Sequence, residues 1–154
     1  MEPRIAVQLA SGHRDEPTVE QIRNWAGAAL AALQDDRACL TVRMVNETEM
    51  TDLNARFRGR QGPTNVLSFP FEALPGLPQD KHPLGDIVVC PPVVAREALS
   101  QGKKIEHHVA HLLVHGVLHL HGHDHHSDRQ AEAMEKLETQ VLATLGIKDP
   151  YRSV

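Results

Sequence analysis

The chain has only two cysteines, no long hydrophobic run and no excess of positive charge. Cys39 and Cys90 are too few and too far apart for a disulfide framework or a Cys-x-x-Cys metal site, and we expect both to be buried thiols. No apolar stretch is long enough to cross a bilayer, and the acidic N-terminal segment lacks the sustained apolar core of a signal peptide. These absences predict a cytoplasmic protein with no membrane partner.

The net charge of the chain is −4 at pH 7, which argues against a protein that coats nucleic acid through its overall charge. A local basic site remains compatible with this balance. The composition, 41% hydrophobic and 23% charged, is that of a globular protein, and no repeat or linker divides the chain. We therefore predict a single domain over residues 1–154. A domain of this size buries about 70% of the surface of its unfolded chain.

Alternating and helical hydrophobic patterns predict four strands and five helices. The expected strands cover Ile5 to Leu9, Cys39 to Val45, Val66 to Phe71 and Leu84 to Cys90. The expected helices run from Thr18 to about Leu33, from Thr48, from Pro91 to about Gln101, from near Lys104, and from Ser127 to Gly146. In the second helix we expect Met50, Leu53 and Phe57 to point inward. The predicted fold class is α/β (α+β), with one mixed four-stranded sheet covered by about five helices and with no strand order assigned.

The segment from His111 to His126 contains seven of the eleven histidines. They alternate with apolar residues, which predicts a folded helix packed on the sheet rather than an affinity tag. His115 and His119 are four residues apart, so on a helix they project from one face, about 6 Å apart along the axis. Gly122 can end that helix in a left-handed turn, and His125 follows three residues later. We predict that His115, His119 and His125 bind one metal ion.

The pattern H-x3-H-x2-G-x2-H has the ligand spacing of the metzincin zinc proteases, whose signature is H-E-x-x-H-x-x-G-x-x-H. Those proteases carry a Glu directly after the first histidine, where it acts as general base. Gly116 stands at that position in this chain. The sequence therefore predicts the metal site but lacks the base of the protease.

Three arginines, Arg56, Arg58 and Arg60, crowd a predicted loop that is broken by glycine and proline. A planar guanidinium suits phosphate because it donates two hydrogen bonds at once. A solvated surface loop has the same composition, so this cluster alone is a weak sign of a phosphate site.

Three segments, LNARFRGRQGPTNVLSFPFE, LGDIVVC and HGVLHLHGHDH, closely resemble the YbeY family of bacterial rRNA-maturation endoribonucleases in their sequence, order and spacing. The similarity spans roughly Asn46 to Leu145. It implies a mixed four-stranded sheet with helices and one zinc ion per chain. The site residues that it implies are a functionally important arginine and three zinc-binding histidines, which map onto Arg58, His115, His119 and His125.

The resemblance implies a zinc-dependent endoribonuclease that cleaves single-stranded rRNA in 16S rRNA 3′-end processing and ribosome quality control. The implied partners are the small ribosomal subunit and its assembly factors, without DNA. In this interpretation Arg58 is catalytic because its cation meets the charge that develops on the phosphoryl group, while Arg56 and Arg60 bind the RNA backbone. Either water or an RNA 2′-hydroxyl serves as nucleophile. We assign Asp124 to orienting a ligand histidine rather than to base catalysis.

Two other functions belong to different classes. A metalloprotease is favoured by the ligand spacing and opposed by Gly116. A non-catalytic ribosome-assembly factor with structural zinc is opposed by the count of three protein ligands, because structural zinc sites usually have four. His121 and His123 depart from the family pattern and His126 adds a further imidazole, so a fourth ligand from His123 or His126 would favour this reading.

Overall fold

A computed structural model describes residues 3–71, 82–123 and 126–150. Within them the chain forms four strands and five helices, which confirms the predicted fold class. The strands are β1 (Arg4–Leu9), β2 (Ala38–Met44), β3 (Val66–Pro70) and β4 (His82–Val89). The helices are α1 (Val19–Ala32), α2 (Glu47–Arg58), α3 (Pro91–Gln101), α4 (Ile105–Leu120) and α5 (Asp128–Thr144).

Most helix ends follow the predicted local signals. Thr18 and Gln21 form the expected capping box at the start of α1, and the Ser127 hydroxyl accepts a hydrogen bond from Gln130 N at the start of α5. The prediction for α2 is wrong by two residues. Asn46, rather than Thr48, is the N-cap, and its Oδ1 accepts from Glu49 N at 2.8 Å. The helix begins earlier because Asn46, two residues after the end of β2, already accepts a hydrogen bond from a first-turn amide.

The sheet has the order β1-β2-β4-β3. The β1–β2 and β2–β4 pairs are parallel, whereas β3 and β4 are antiparallel, so the sheet is mixed as predicted. This order follows from crossover connections that the hydrophobic pattern does not encode. It makes β3 an edge strand, which places everything attached to β3 at one border of the sheet.

The sheet has apolar residues on both faces. Ile87 and Val89 belong to the large core that α1, α4 and α5 complete, while Val88 and Cys90 belong to a smaller cluster beneath α2. The histidine helix α4 packs on β3 and β4, which confirms its predicted position. No helix within the described ranges is both long and apolar enough to span a membrane.

Two predictions of burial are wrong. Phe57 is 56% exposed rather than inward. The reason is topological: the Phe57 ring packs edge-on against Phe69 of the edge strand β3, and in the described sheet no further strand lies beyond β3 to cover it. Cys39 is only partly buried because it lies near the start of β2, whereas Cys90 is buried as predicted.

Candidate metal centre and arginine site

Helix α4 places His115 and His119 side by side at its border with solvent. Val109, Leu113 and Val117 on the same helix are buried in the core, which turns the two histidines outward. Their rings are parallel, with planes 3° apart and centroids 6.5 Å apart. His115 is half-buried and His119 is exposed, so a metal ion between them would be accessible to a substrate.

A buried carboxylate holds the first of these histidines. Glu138 of α5 has no exposed surface, and its Oε1 lies 2.6 Å from Nδ1 of His115. Its Oε2 lies 2.9 Å from Nε2 of His111, one turn earlier on α4. Because Nδ1 of His115 is bound to the carboxylate, Nε2 is the nitrogen that this ring presents to a metal ion. Metal-binding histidines are commonly oriented by a carboxylate in this way.

The sequence reasoning missed Glu138. The available signal was its place in α5, where it stands between Met134 and Val141 within the apolar stripe of the helix. A carboxylate at a core position requires partners because an unpaired buried charge is strongly destabilising. A glutamate inside an apolar stripe is therefore a sign of a buried polar contact.

Helix α4 ends as predicted at Gly122. Gly122 has φ +101°, its N–H donates to His119 O at 3.1 Å, and His123 N donates to Leu118 O at 3.0 Å. This is the Schellman pattern, which needs a residue that adopts positive φ without strain. It reverses the chain immediately after the second metal-binding candidate.

The predicted third ligand, His125, and its neighbour Asp124 lie outside the described residues. Among residues 3–71, 82–123 and 126–150, no group of three or more His, Cys, Asp or Glu side chains is arranged to hold a metal ion. His121 lies on another side of the helix end, where its Nε2 is 3.0 Å from Oδ2 of Asp35. The two described imidazoles fit zinc in their chemistry and mutual position, and the third ligand stays a prediction.

Gly116 lies where α4 approaches the sheet most closely. A Cβ atom at this position would be 3.0 Å from Cδ1 of Ile87 and 3.1 Å from Oγ of Ser68. These distances are shorter than ordinary van der Waals contacts, and Ile87 is buried. The position held by glutamate in the metzincin signature is therefore packed against strands β3 and β4. A glutamate at this position would therefore require Ile87 and Ser68 to shift.

Arg58 is held by the main-chain carbonyl of Ser68. Its Nη2 donates to Ser68 O at 2.7 Å, its Nη1 donates to Phe57 O at 3.3 Å, and its guanidinium carbon lies 5.1 Å from the centre of the Phe69 ring. Since the Ser68 side chain faces Gly116, one residue of β3 connects Arg58 with the helix turn that carries His115. The arginine segment and the histidine helix therefore both contact the same residue of the edge strand β3.

The three arginines do not share one loop as predicted. Helix α2 continues through Arg58, so Arg56 and Arg58 belong to its last turn and only Arg60 follows it. Arg56 pairs with Asp52 at 3.3 Å on the exposed helix surface. The helix runs through Arg58 because its C-cap is Gly59, which adopts the left-handed conformation at φ +64°. Arg60 is exposed in the turn that follows.

Asn54 is a second residue that sequence reasoning missed. It is buried, and its side-chain Nδ2 donates to Gly62 O at 2.9 Å. Its main-chain carbonyl accepts from Arg60 N at 3.3 Å. These bonds fix the turn between α2 and β3 against the helix. Its signal was an amide side chain next to Leu53 on the inward face of α2.

The buried His108 and its partner Glu97 link helices α3 and α4 to the residue that precedes β3. Nε2 of His108 on α4 lies 3.0 Å from Oε1 of Glu97 on α3, and Asn65 Nδ2, just before β3, donates to the same oxygen at 3.0 Å. Burial lowers the pKa of His108, and the opposing interaction with Glu97 does not cancel that effect. The neutral imidazole thus joins two helices to the strand that carries Ser68 and Phe69.

Proteins with similar sequences match this chain over most of its length. The profile of a family described as "Endoribonuclease YbeY" matches residues 9–146. A protein named Endoribonuclease YbeY from Alkalilimnicola ehrlichii is 56% identical over 137 residues, covering 88% of this chain and 82% of the relative. Its namesake from Xanthomonas axonopodis pv. citri is 52% identical over 149 residues, with 96% and 92% covered. That from Chromohalobacter salexigens is 50% identical over 154 residues, with 98% and 99% covered.

A solved structure has the same architecture. The solution structure of TM1509 from Thermotoga maritima superposes with a TM-score of 0.60 and covers 96% of this chain and 99% of that one. The two sequences are 24% identical, so this likeness shows the fold alone.

Proposed function

The chain belongs to the YbeY family of endoribonucleases, and we propose from this premise that it is a zinc-dependent enzyme that cleaves single-stranded rRNA. It hydrolyses RNA phosphodiester bonds in the cytoplasm, in 16S rRNA 3′-end processing and ribosome quality control. The small ribosomal subunit and its assembly factors are its partners, and DNA is not a substrate. The observation that carries this proposal is the approach of Arg58 and of the histidine helix α4 to the same residue, Ser68.

The zinc site is supported by the paired histidines and their carboxylate. His115, His119 and the predicted third ligand His125 would hold one ion, and Glu138 keeps the His115 ring in the orientation that binding requires. When bound with three histidines, zinc supplies a Lewis acid and lowers the pKa of a water molecule to about 7. The chain contributes the direction of the imidazoles, with His115 half-buried and His119 exposed to an approaching substrate.

Arg58 supplies a fixed positive charge beside this site. A phosphoryl group gains negative charge as its phosphodiester bond breaks, and a cation already in place stabilises that charge without reorganising. The Ser68 carbonyl and the Phe69 ring hold the guanidinium, so it is ordered before RNA binds. Arg56 and Arg60 lie on the exposed surface nearby and provide anchoring contacts for neighbouring phosphates.

The packing of Gly116 favours phosphodiester over peptide hydrolysis. A peptide bond requires a proton for its leaving amine, and the metzincin glutamate delivers it. No side chain fits at position 116 without displacing Ile87 or Ser68. Without that proton the amine would have to leave as an amide anion, which is far more basic than the alkoxide leaving group of RNA, so phosphodiester cleavage depends less on such a group.

The decisive experiment uses three substrates with one protein preparation. Zinc-loaded and chelated protein would be incubated with labelled single-stranded RNA, the matching duplex and an unstructured peptide. The proposal expects cleavage of the single strand that chelation abolishes and zinc restores, with little cleavage of the duplex and none of the peptide. Cleavage of the peptide would contradict this proposal and would favour the metalloprotease function. Zinc-loaded protein that binds RNA without cleaving it would replace it by the assembly factor with structural zinc.

A further inference from the structure

The three phenylalanines of the chain belong to the end of α2 and to the edge strand β3: Phe57 contacts Phe69, and Phe71 directly follows β3. Phe57 is 56% exposed, Phe71 is 43% exposed and Phe69 is half-buried. The core, in contrast, is almost entirely aliphatic, with Trp25 as its aromatic member. Burial of a phenylalanine is worth about 1.5–3 kcal/mol, so an exposed ring on a stable helix forgoes much of that gain.

Phe57 is exposed but its position is defined. Its ring packs edge-on against Phe69, with centroids 5.4 Å apart and planes 68° apart. The guanidinium of Arg58 lies against the same Phe69 ring. An aromatic face that is already ordered loses little entropy when a flat ligand stacks on it. The end of α2 therefore presents an open ring and a fixed cation on adjacent residues.

This pairing fits a nucleotide of an unpaired strand. Proteins that hold single-stranded nucleic acid combine cations for phosphates with aromatic rings on which bases stack. The charges complement RNA, because Arg56, Arg58 and Arg60 accompany Phe57 on a chain that is acidic overall. A paired base cannot reach the ring because it is already stacked inside its duplex. An exposed apolar surface for a protein partner would not require this concentration of guanidinium groups.

We propose that Phe57 is a stacking platform for a nucleobase next to the phosphodiester that is cleaved, and that this contact selects single-stranded RNA. The inference rests on the proposed function, and it assigns substrate binding rather than catalysis to Phe57. The link to the cleaved bond is the edge strand β3: Arg58, the next residue, donates to the Ser68 carbonyl, and the Ser68 hydroxyl faces Gly116 on the helix that carries His115.

The first test removes the aromatic face and retains apolar bulk. With zinc-loaded protein and single-stranded RNA, Phe57→Leu should raise KM about 5- to 150-fold, the range for loss of one base stack, with kcat nearly unchanged. Phe57→Trp should retain a low KM. Leu99→Ala is the matched control because Leu99 is an 85% exposed apolar residue on α3. A KM for Phe57→Leu equal to those of wild type and the control would overturn the inference.

The second test does not depend on cleavage. Phe57→Trp places an exposed indole beside the site, while the natural Trp25 is buried and contributes a constant background. Single-stranded RNA should quench the new fluorescence, and the matching duplex or RNA with an abasic nucleotide at the stacking position should not. Absence of quenching by a strand that the protein binds would refute stacking. Because this signal needs only binding, it separates failure of the platform from failure of the proposed nuclease activity.

Discussion

The Nδ1 atom of His115 on α4 lies 2.6 Å from Oε1 of Glu138 on α5, and this carboxylate has no exposed surface. The contact joins residues 23 positions apart and links the two helices that follow one another around the predicted third ligand. It identifies Glu138 as a positioning residue, since it holds a histidine and does not itself face a substrate.

Replacement of Glu138 by glutamine should weaken zinc binding by about 10- to 100-fold, the usual effect of losing the partner of a ligand histidine. Glutamine has nearly the same shape, but it replaces one carboxylate oxygen by an amide that donates. Competition with a chelating dye measures the Kd. Glu135→Gln, an exposed position on the same helix, should bind zinc like wild type. Equal affinities for both variants would reduce Glu138 to a structural contact between α4 and α5.

Local patterns predicted much of this fold because their causes are local. Pro91 and Gly102 bound α3, and Gly122 ends α4, as turn and capping chemistry requires. The strand order and the exposure of Phe57 were not predictable, because both depend on where the chain crosses the sheet. Glu138 was missed for the same reason, since its role appears only when α5 lies against α4.

Zinc binding should require His115, His119 and His125 together. Alanine at any of the three should abolish stoichiometric zinc, because two imidazoles alone hold the ion weakly. His121→Ala should retain zinc, since the His121 ring is engaged by Asp35 away from the paired histidines. Bound zinc per purified chain measures the outcome. Full occupancy in His125→Ala would assign the third ligand to His123 or His126 instead.

Completion of the metzincin signature by Gly116→Glu should not create a peptidase. The new side chain meets Ile87 and Ser68, so we expect destabilisation of about 3 kcal/mol or more from overpacking and a buried charge. Gly116→Ala should cost less, because its gain in helix propensity of about 1 kcal/mol offsets part of the crowding. Urea unfolding and a peptide cleavage assay check both effects. A stable Gly116→Glu protein that cleaves peptides would restore the protease interpretation.

Stability of the zinc-free protein should fall as the pH drops below about 6.5. Burial lowers the pKa of His108 from its ordinary value of 6.5, while Glu97 opposes this and Lys103 and His111 add to it. Below 6.5 the unfolded chain binds a proton that the folded state excludes, so the free energy of unfolding decreases until the lowered folded pKa is passed. Above pH 6.5 the free energy of unfolding is not reduced by this titration.

Unfolding of chelated protein between pH 5 and 8 measures this slope. His108→Gln should reduce it even if the variant is less stable throughout, because the slope depends on the protons bound and not on the absolute stability. His107→Gln is the matched control on the preceding position. A slope that His108→Gln leaves unchanged would transfer the titration to another histidine.

Arg58→Ala should lower kcat for single-stranded RNA by roughly 100-fold or more, at unchanged zinc content, if its cation stabilises the transition state. Arg58→Lys should recover only part of the loss, because an ammonium cannot donate in parallel to a phosphate. Arg60→Ala removes an exposed arginine after the helix and should mainly raise KM. Single-turnover cleavage at saturating RNA separates the two effects. Equal, modest losses that vanish at high RNA concentration would make Arg58 one anchoring contact among three, and its order against Ser68 and Phe69 would then serve binding alone.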